Sequence, residues 1–127
     1  MQRAYLRRIS QRLIEVLLAE PARIEAVMMP AEGETAIDDD VQFMIAAFAD
    51  IDRALGADAF LVQGGTPIGD IMFGDGPARA FTAPDVRKLA TRLALTTAPN
   101  AIREYAIVKQ FVTDTARAEA AMIITIE

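Results

Sequence analysis

The sequence contains no cysteine and no histidine. Without cysteine there is no disulfide, no thiolate nucleophile and no cysteine-ligated zinc. Without histidine, the usual general base near neutral pH and the commonest metal ligand are gone. Ser–His–Asp and Cys–His catalysis go with them. Tryptophan is absent as well. The longest uncharged apolar run, Phe43–Ala49, falls far short of the ~20 residues a membrane span needs. The opening MQRAYLRRIS is charged, but no apolar run with a small-residue cleavage site follows it, so no signal peptide is read there. A cytoplasmic protein with no membrane partner is expected.

Positive charge is scarce too. Lysine and arginine number 13 against 18 aspartates and glutamates, for a net charge of −5 and a pI near 4.7. An acidic chain repels phosphate backbones, so nucleic acid is not an expected partner. Arg3, Arg7, Arg8 and Arg12 gather near the amino end. They read as the solvated face of a strand or helix, because a DNA-binding arm would want basic partners elsewhere.

What is present is an ordinary globular composition, 53% apolar and 24% charged over 127 residues. That is enough chain for one domain, 1–127, with its own core. Residues 2–9 read as a weak strand. Ser10 is placed to cap a helix in which Leu13, Ile14, Leu17 and Leu18 recur at helical spacing. Pro21 ends that helix and suits the first turn of another over 21–29, which Pro30 stops. Residues 30–37 read as a polar connection.

The spacing of Val41, Met44, Phe48, Ile51 and Leu55, widened by Phe43, Ile45 and several alanines, predicts a helix over 39–55 apolar on nearly every side. Such a helix belongs in the centre of a fold. Gly56 is a plausible stop for it. Ala59–Val62 reads as a short strand, Gly64–Gly65 as a turn, Ile68–Phe73 as the return strand of a hairpin, and Ala78–Phe81 as a further strand. Thr82 and Asp85 form a capping box, with Phe81 and Val86 at the staple positions. A break over Thr96–Asn100 leads to a helix over 100–117. The closing AAMIITIE reads as a strand to be paired, next to the first. The expected class is α+β: helix-rich, with a small mixed or antiparallel sheet and a buried central helix.

These residues, taken in order, resemble the YfbM-like family of small bacterial proteins. The resemblance rests on Ile37-Asp38-Asp39-Asp40, Gly64-Gly65, Gly74-Asp75-Gly76-Pro77-Ala78-Arg79, Val86-Arg87, and Tyr105 with Lys109 and Phe111. It spans nearly the whole chain, and its most specific motif is GxGPAR. Family members resemble one another in a Trp and a His after the acidic motif, and neither occurs here within Val41–Ala46. They also tend to be longer between the last two helices, where this chain has Thr96–Asn100. The resemblance implies an α+β domain with no established activity, some of whose relatives look like immunity or partner-binding proteins.

Five of the seven glycines lie within Gly64–Ala94, the density expected of a phosphate-binding loop. Gly69 and Gly74 have Walker spacing, but Asp75 stands where the lysine should be. Gly74-Asp75-Gly76 opens a dinucleotide fingerprint, but Arg79 replaces the third glycine. Tight turns with positive φ explain these glycines better. Arg79, just ahead of the capped helix, has the chemistry to hold a carboxylate or phosphate. The plainer reading is a structural arginine bridging to Asp70, Asp75 or Asp85. Asp38, Asp39 and Asp40, with Glu32 and Glu34, offer oxygens for Ca²⁺ or Mg²⁺ but lack calcium-loop spacing. Capping of the following helix is preferred for them.

The sequence therefore reads as a non-catalytic, partner-binding or accessory protein, immunity-like in character, with no cofactor, metal or catalytic residue assigned. Gln63, Asp75 and Arg79 are the candidate ligand- or partner-binding residues. The alternative is a small-molecule-binding domain or an enzyme working through carboxylates and Arg79. A homo-oligomer joined through the terminal strand or Met28-Met29 is a third reading.

Overall fold

The computed structural model describes residues 2–28, 42–72 and 74–127. Among these, five strands form one antiparallel sheet. They are β1 (Ala4–Ile9), β2 (Gln42–Ile45), β3 (Thr66–Met72), β4 (Pro77–Phe81) and β5 (Ala121–Ile126), in the order β2-β1-β5-β4-β3. Five helices accompany them: α1 (Gln11–Ala19), α2 (Ile24–Met28), α3 (Phe48–Leu55), α4 (Ala83–Leu95) and α5 (Arg103–Arg117). The fold is α+β.

Side chains alternate across the sheet, and both faces are covered. Leu6, Phe81, Met122 and Ile124 point to one side, into a core shared with α3, α4 and α5. Ile9, Ile68, Ala78, Ala80, Ala121 and Ile123 point to the other, where α1 and Ile24 close over them. That double covering explains why β5 is nearly all apolar, with Ala121 to Ile124 buried throughout. β5 pairs with β1 along six positions and with β4 along three. Both its edges are occupied, so it offers no free edge to a second copy. Met29 and the side chain of Met28 lie outside the described residues.

Local signals hold where they are self-contained. The Ser10 hydroxyl accepts from the Leu13 N–H at 3.1 Å. Thr82 and Asp85 form the reciprocal capping box. Pro21 opens a 3₁₀ turn, Pro21–Arg23, that continues into α2. Gly56 ends α3 with φ of 61°. The Tyr105 hydroxyl lies 3.3 Å from the Leu93 carbonyl and 3.2 Å from that of Thr96. It ties α5 to the end of α4, and burial pushes its pKa up.

The central helix expected over 39–55 is not there. Residues 42–45 are a strand, paired antiparallel with β1 so that Ile45 lies opposite Ala4 and Met44 opposite Tyr5. Ile45 is buried and Met44 exposed, the alternation of a half-buried strand. The helix starts only at Phe48, and it buries a single stripe, Ile51 and Leu55. Pairing with the open edge of β1 outweighs the helical spacing of the apolar residues. The Glu104 carboxylate on α5 then accepts from the Ala46 and Ala47 N–H groups, at 2.9 and 3.4 Å. These bonds tie the entry to α3 to the first turn of α5, while Ala47, at the N-cap, offers no side-chain acceptor of its own to the first-turn amides of α3. Asp38, Asp39 and Asp40, with Glu32 and Glu34, lie outside the described residues.

The basic cluster divides: Arg12 is exposed as a solvated face would have it, but Arg7 and Arg8 are not. Arg7 is buried on the sheet: its guanidinium donates to Thr125 Oγ1 at 2.8 Å, pairs with Glu127 at 3.2 Å and stacks over Tyr5. Arg8 donates to Thr115 Oγ1 and stacks over Phe111.

Candidate functional site

The hairpin that carries the glycine-rich motif is β3–β4, and Ala59–Val62 is not a strand. Those residues belong to a loop between α3 and β3. A loop has no ladder to absorb its backbone polar groups, so they must be satisfied by other means. Two charged side chains supply them. The Asp52 carboxylate, on α3, accepts three successive amides: Phe60 at 3.2 Å, Leu61 at 3.0 Å and Val62 at 2.8 Å. From β4, Arg79 donates to carbonyls of the same loop. Its Nη1 reaches Phe60 at 3.1 Å and Gly64 at 2.9 Å, and its Nη2 reaches Leu61.

The loop is thus gripped between an anion holding its donors and a cation holding its acceptors. Charge-assisted bonds of this kind are roughly twice as strong as neutral ones. Arg79 is only 8% exposed. Burial pushes its pKa below the usual arginine value, and the charge of nearby Asp52 acts against that shift. The expected carboxylate partners of Arg79, namely Asp70, Asp75 and Asp85, are not its hydrogen-bond partners. The loop carbonyls are.

Gly65 follows the gripped segment with φ of 81°, and a Cβ there would stand 2.7 Å from the Ala80 carbonyl oxygen. Only glycine lets the chain turn against β4 at that distance. Gly69 and Gly74 also take positive φ, but only Gly74 lies at the hairpin turn; Gly69 falls inside β3, where the pairing with β4 shifts register.

Two recesses flank the loop. The first, of about 380 Å³, lies between the loop and α4. Its floor is Phe60 and Phe81, packed edge to face, and its rim includes Lys88 and Arg92. The second, of about 330 Å³, is lined by Arg79, Asp75, Gln2, Phe48, Val62 and Ile126, among others. Of the three sequence candidates, Asp75 and Arg79 meet in this second recess and Gln63 does not. Gln63 is exposed on the gripped loop. Asp75 is held at the hairpin tip, where its N–H donates to the Ile126 carbonyl at 2.8 Å and its carboxylate accepts from Gln2. Asp52 was missed from sequence. Its role depends on a loop eight to ten residues further on, and no motif spacing announces it.

The family described as a domain of unknown function, DUF1877, matches residues 2–110. The chain belongs to that family. No curated protein and no solved structure matches the chain. The stretch matched to DUF1877 contains both gripping residues, the loop between them and the whole β3–β4 hairpin, and it ends within α5, ahead of β5. No group of three or more Asp or Glu residues is placed to hold a metal ion among the described residues of this DUF1877 chain. None of its described helices is long and apolar enough to cross a membrane.

Proposed function

We propose that this chain is a non-catalytic, cytoplasmic protein of one domain, 1–127, that binds a protein partner through the gripped loop 60–64. The observation that carries the reading is the double grip itself. A buried guanidinium and a carboxylate fix the backbone of a short loop whose outward side chains, Val62 and Gln63, are exposed. A loop fixed before contact loses less entropy on binding, which favours affinity. Neighbouring β3 adds Ile71 and Met72, so three of the six large apolar side chains exposed among the described residues belong to the loop or the adjoining strand. The YfbM-like resemblance, carried by Gly74–Arg79, agrees with this, since some of those relatives look like partner-binding or immunity proteins.

The test is a photo-crosslinking side chain placed at position 63 and, as a control, at position 95, whose leucine is strongly exposed on α4. A discrete adduct from position 63 and not from 95 is expected. The identified partner, once purified, should bind the native chain and lose at least about tenfold in affinity to Val62→Asp, equivalent to one well-packed contact. Equal adducts from both positions, none from position 63, or unchanged binding by Val62→Asp overturns the reading.

A further inference from the structure

The second recess contains a cation whose hydrogen-bonding capacity is only partly used. Arginine has five N–H donors. Arg79 directs three bonds to the loop carbonyls, two from Nη1 and one from Nη2. Its Nε–H and the remaining N–H of Nη2 have no acceptor among the described residues. Nor is any side-chain nitrogen or oxygen sealed away without a partner. Nε, which has no partner, therefore keeps some solvent access on its edge of the guanidinium, and Arg79 is among the residues that line the recess. Two unused donors suit a carboxylate, whose two oxygens an arginine can hold side by side through Nε and Nη2.

The rest of the lining narrows the ligand. Asp75 brings a carboxylate, and Gln2, which donates to it, brings an amide. Phe48, Val62 and Ile126 form apolar wall. A simple anion would meet Arg79 favourably and Asp75 unfavourably. A ligand carrying one charge of each sign meets both favourably. The volume, about 330 Å³, is at the small end of ligand pockets. We infer that this recess binds a free α-amino acid with an apolar side chain: its carboxylate on the spare edge of Arg79, its ammonium toward Asp75, and its side chain against Phe48, Val62 and Ile126. This goes beyond the partner-binding reading; the two share Val62, and Asp75→Asn, which lies outside the gripped loop, tests this one alone.

The experiment is isothermal titration of the full chain with L-valine, L-leucine and L-phenylalanine. Two capped forms of each accompany them: the amide, which lacks the carboxylate, and the N-acetyl form, which lacks the ammonium. Saturable binding of at least one free amino acid is expected, weakened about tenfold or more by either cap, as loss of one charge-assisted bond implies. Asp75→Asn should weaken the free amino acid to the same degree and leave the amide-versus-acid preference intact. Arg79 also holds the loop, so its replacement risks unfolding, and Asp75→Asn is the variant that decides. It sits at the exposed hairpin tip, and an unchanged melting temperature confirms that it folds. Failure of all three amino acids to bind at millimolar concentration, binding indifferent to either cap, or binding unaffected by Asp75→Asn overturns the proposal.

Discussion

Arg79 illustrates how a residue's role can be legible in a sequence while its partners are not. Its position beside a capped helix suits an anion ligand, and the plainer reading is a structural bridge to Asp70, Asp75 or Asp85. In the fold its first task is to hold three carbonyls of a loop that has no strand to hold them. A cation buried against neutral acceptors is stable only while its bonds are made. The two ways of replacing it should therefore differ. Arg79→Lys keeps the charge but not the fork, and one ammonium cannot span carbonyls presented to two separate nitrogens. Arg79→Met keeps the apolar stem and removes every donor. The Phe60 carbonyl still accepts from the Gly64 N–H at 3.2 Å, but those of Leu61 and Gly64 lose their partner at about 1–3 kcal/mol each, so Arg79→Met should lose about 2 kcal/mol or more and Arg79→Lys somewhat less. Urea unfolding monitored by circular dichroism gives both numbers. A loss under about 1 kcal/mol for Arg79→Met would mean that water replaces the guanidinium without cost and that the grip is not structural.

At the scale of elements, what the sequence announced and what it hid separate by the distance of the determinants. The starts of α1 and α4 were legible because Ser10, Thr82 and Asp85 bond within three residues of themselves. The terminal strand was legible because its apolar run needs no partner to be recognised. The stretch 39–55 was misread because the facts that decide it lie elsewhere in the chain. The open edge of β1 recruits residues 42–45, and Glu104, some 58 positions away, supplies acceptors at the start of α3. The candidate site divides in the same way. Asp75 and Arg79 stand in one short motif and were found together, whereas Asp52 becomes meaningful only once the loop folds back over it. Glu104 permits a test. Glu104→Ala should cost about 1 kcal/mol, in line with loss of a hydrogen bond to backbone amides. Hydrogen exchange should then speed up at Ala46, Ala47 and the first turn of α3, while α5 keeps its protection. Unchanged exchange at those amides would show that the remote carboxylate is incidental.

Across the whole molecule, β5 is the strand through which the two halves of the sheet meet: β2-β1 lies on one side of it and β4-β3 on the other. It is also where the two cores come closest. Ile123 belongs to the cluster under α1, and Ile124, the next residue, to the cluster under α3, α4 and α5. Neighbours in sequence ordinarily couple when mutated, because they share contacts or a cavity. Here the sheet separates them, so a methylene removed from one leaves its gap among side chains the other does not touch. Ile123→Val and Ile124→Val should each cost about 0.5–1.5 kcal/mol. The double variant should cost their sum to within about 0.5 kcal/mol, with one cooperative transition and an unchanged denaturant slope. The opposite result is equally informative. If the double variant loses much less than the sum, the backbone of β5 relaxes as a unit and fills both gaps by one shift, and the cores communicate through the strand. If it loses much more, or the transition splits, the two sides of the sheet are held together chiefly by side-chain volume at these two positions.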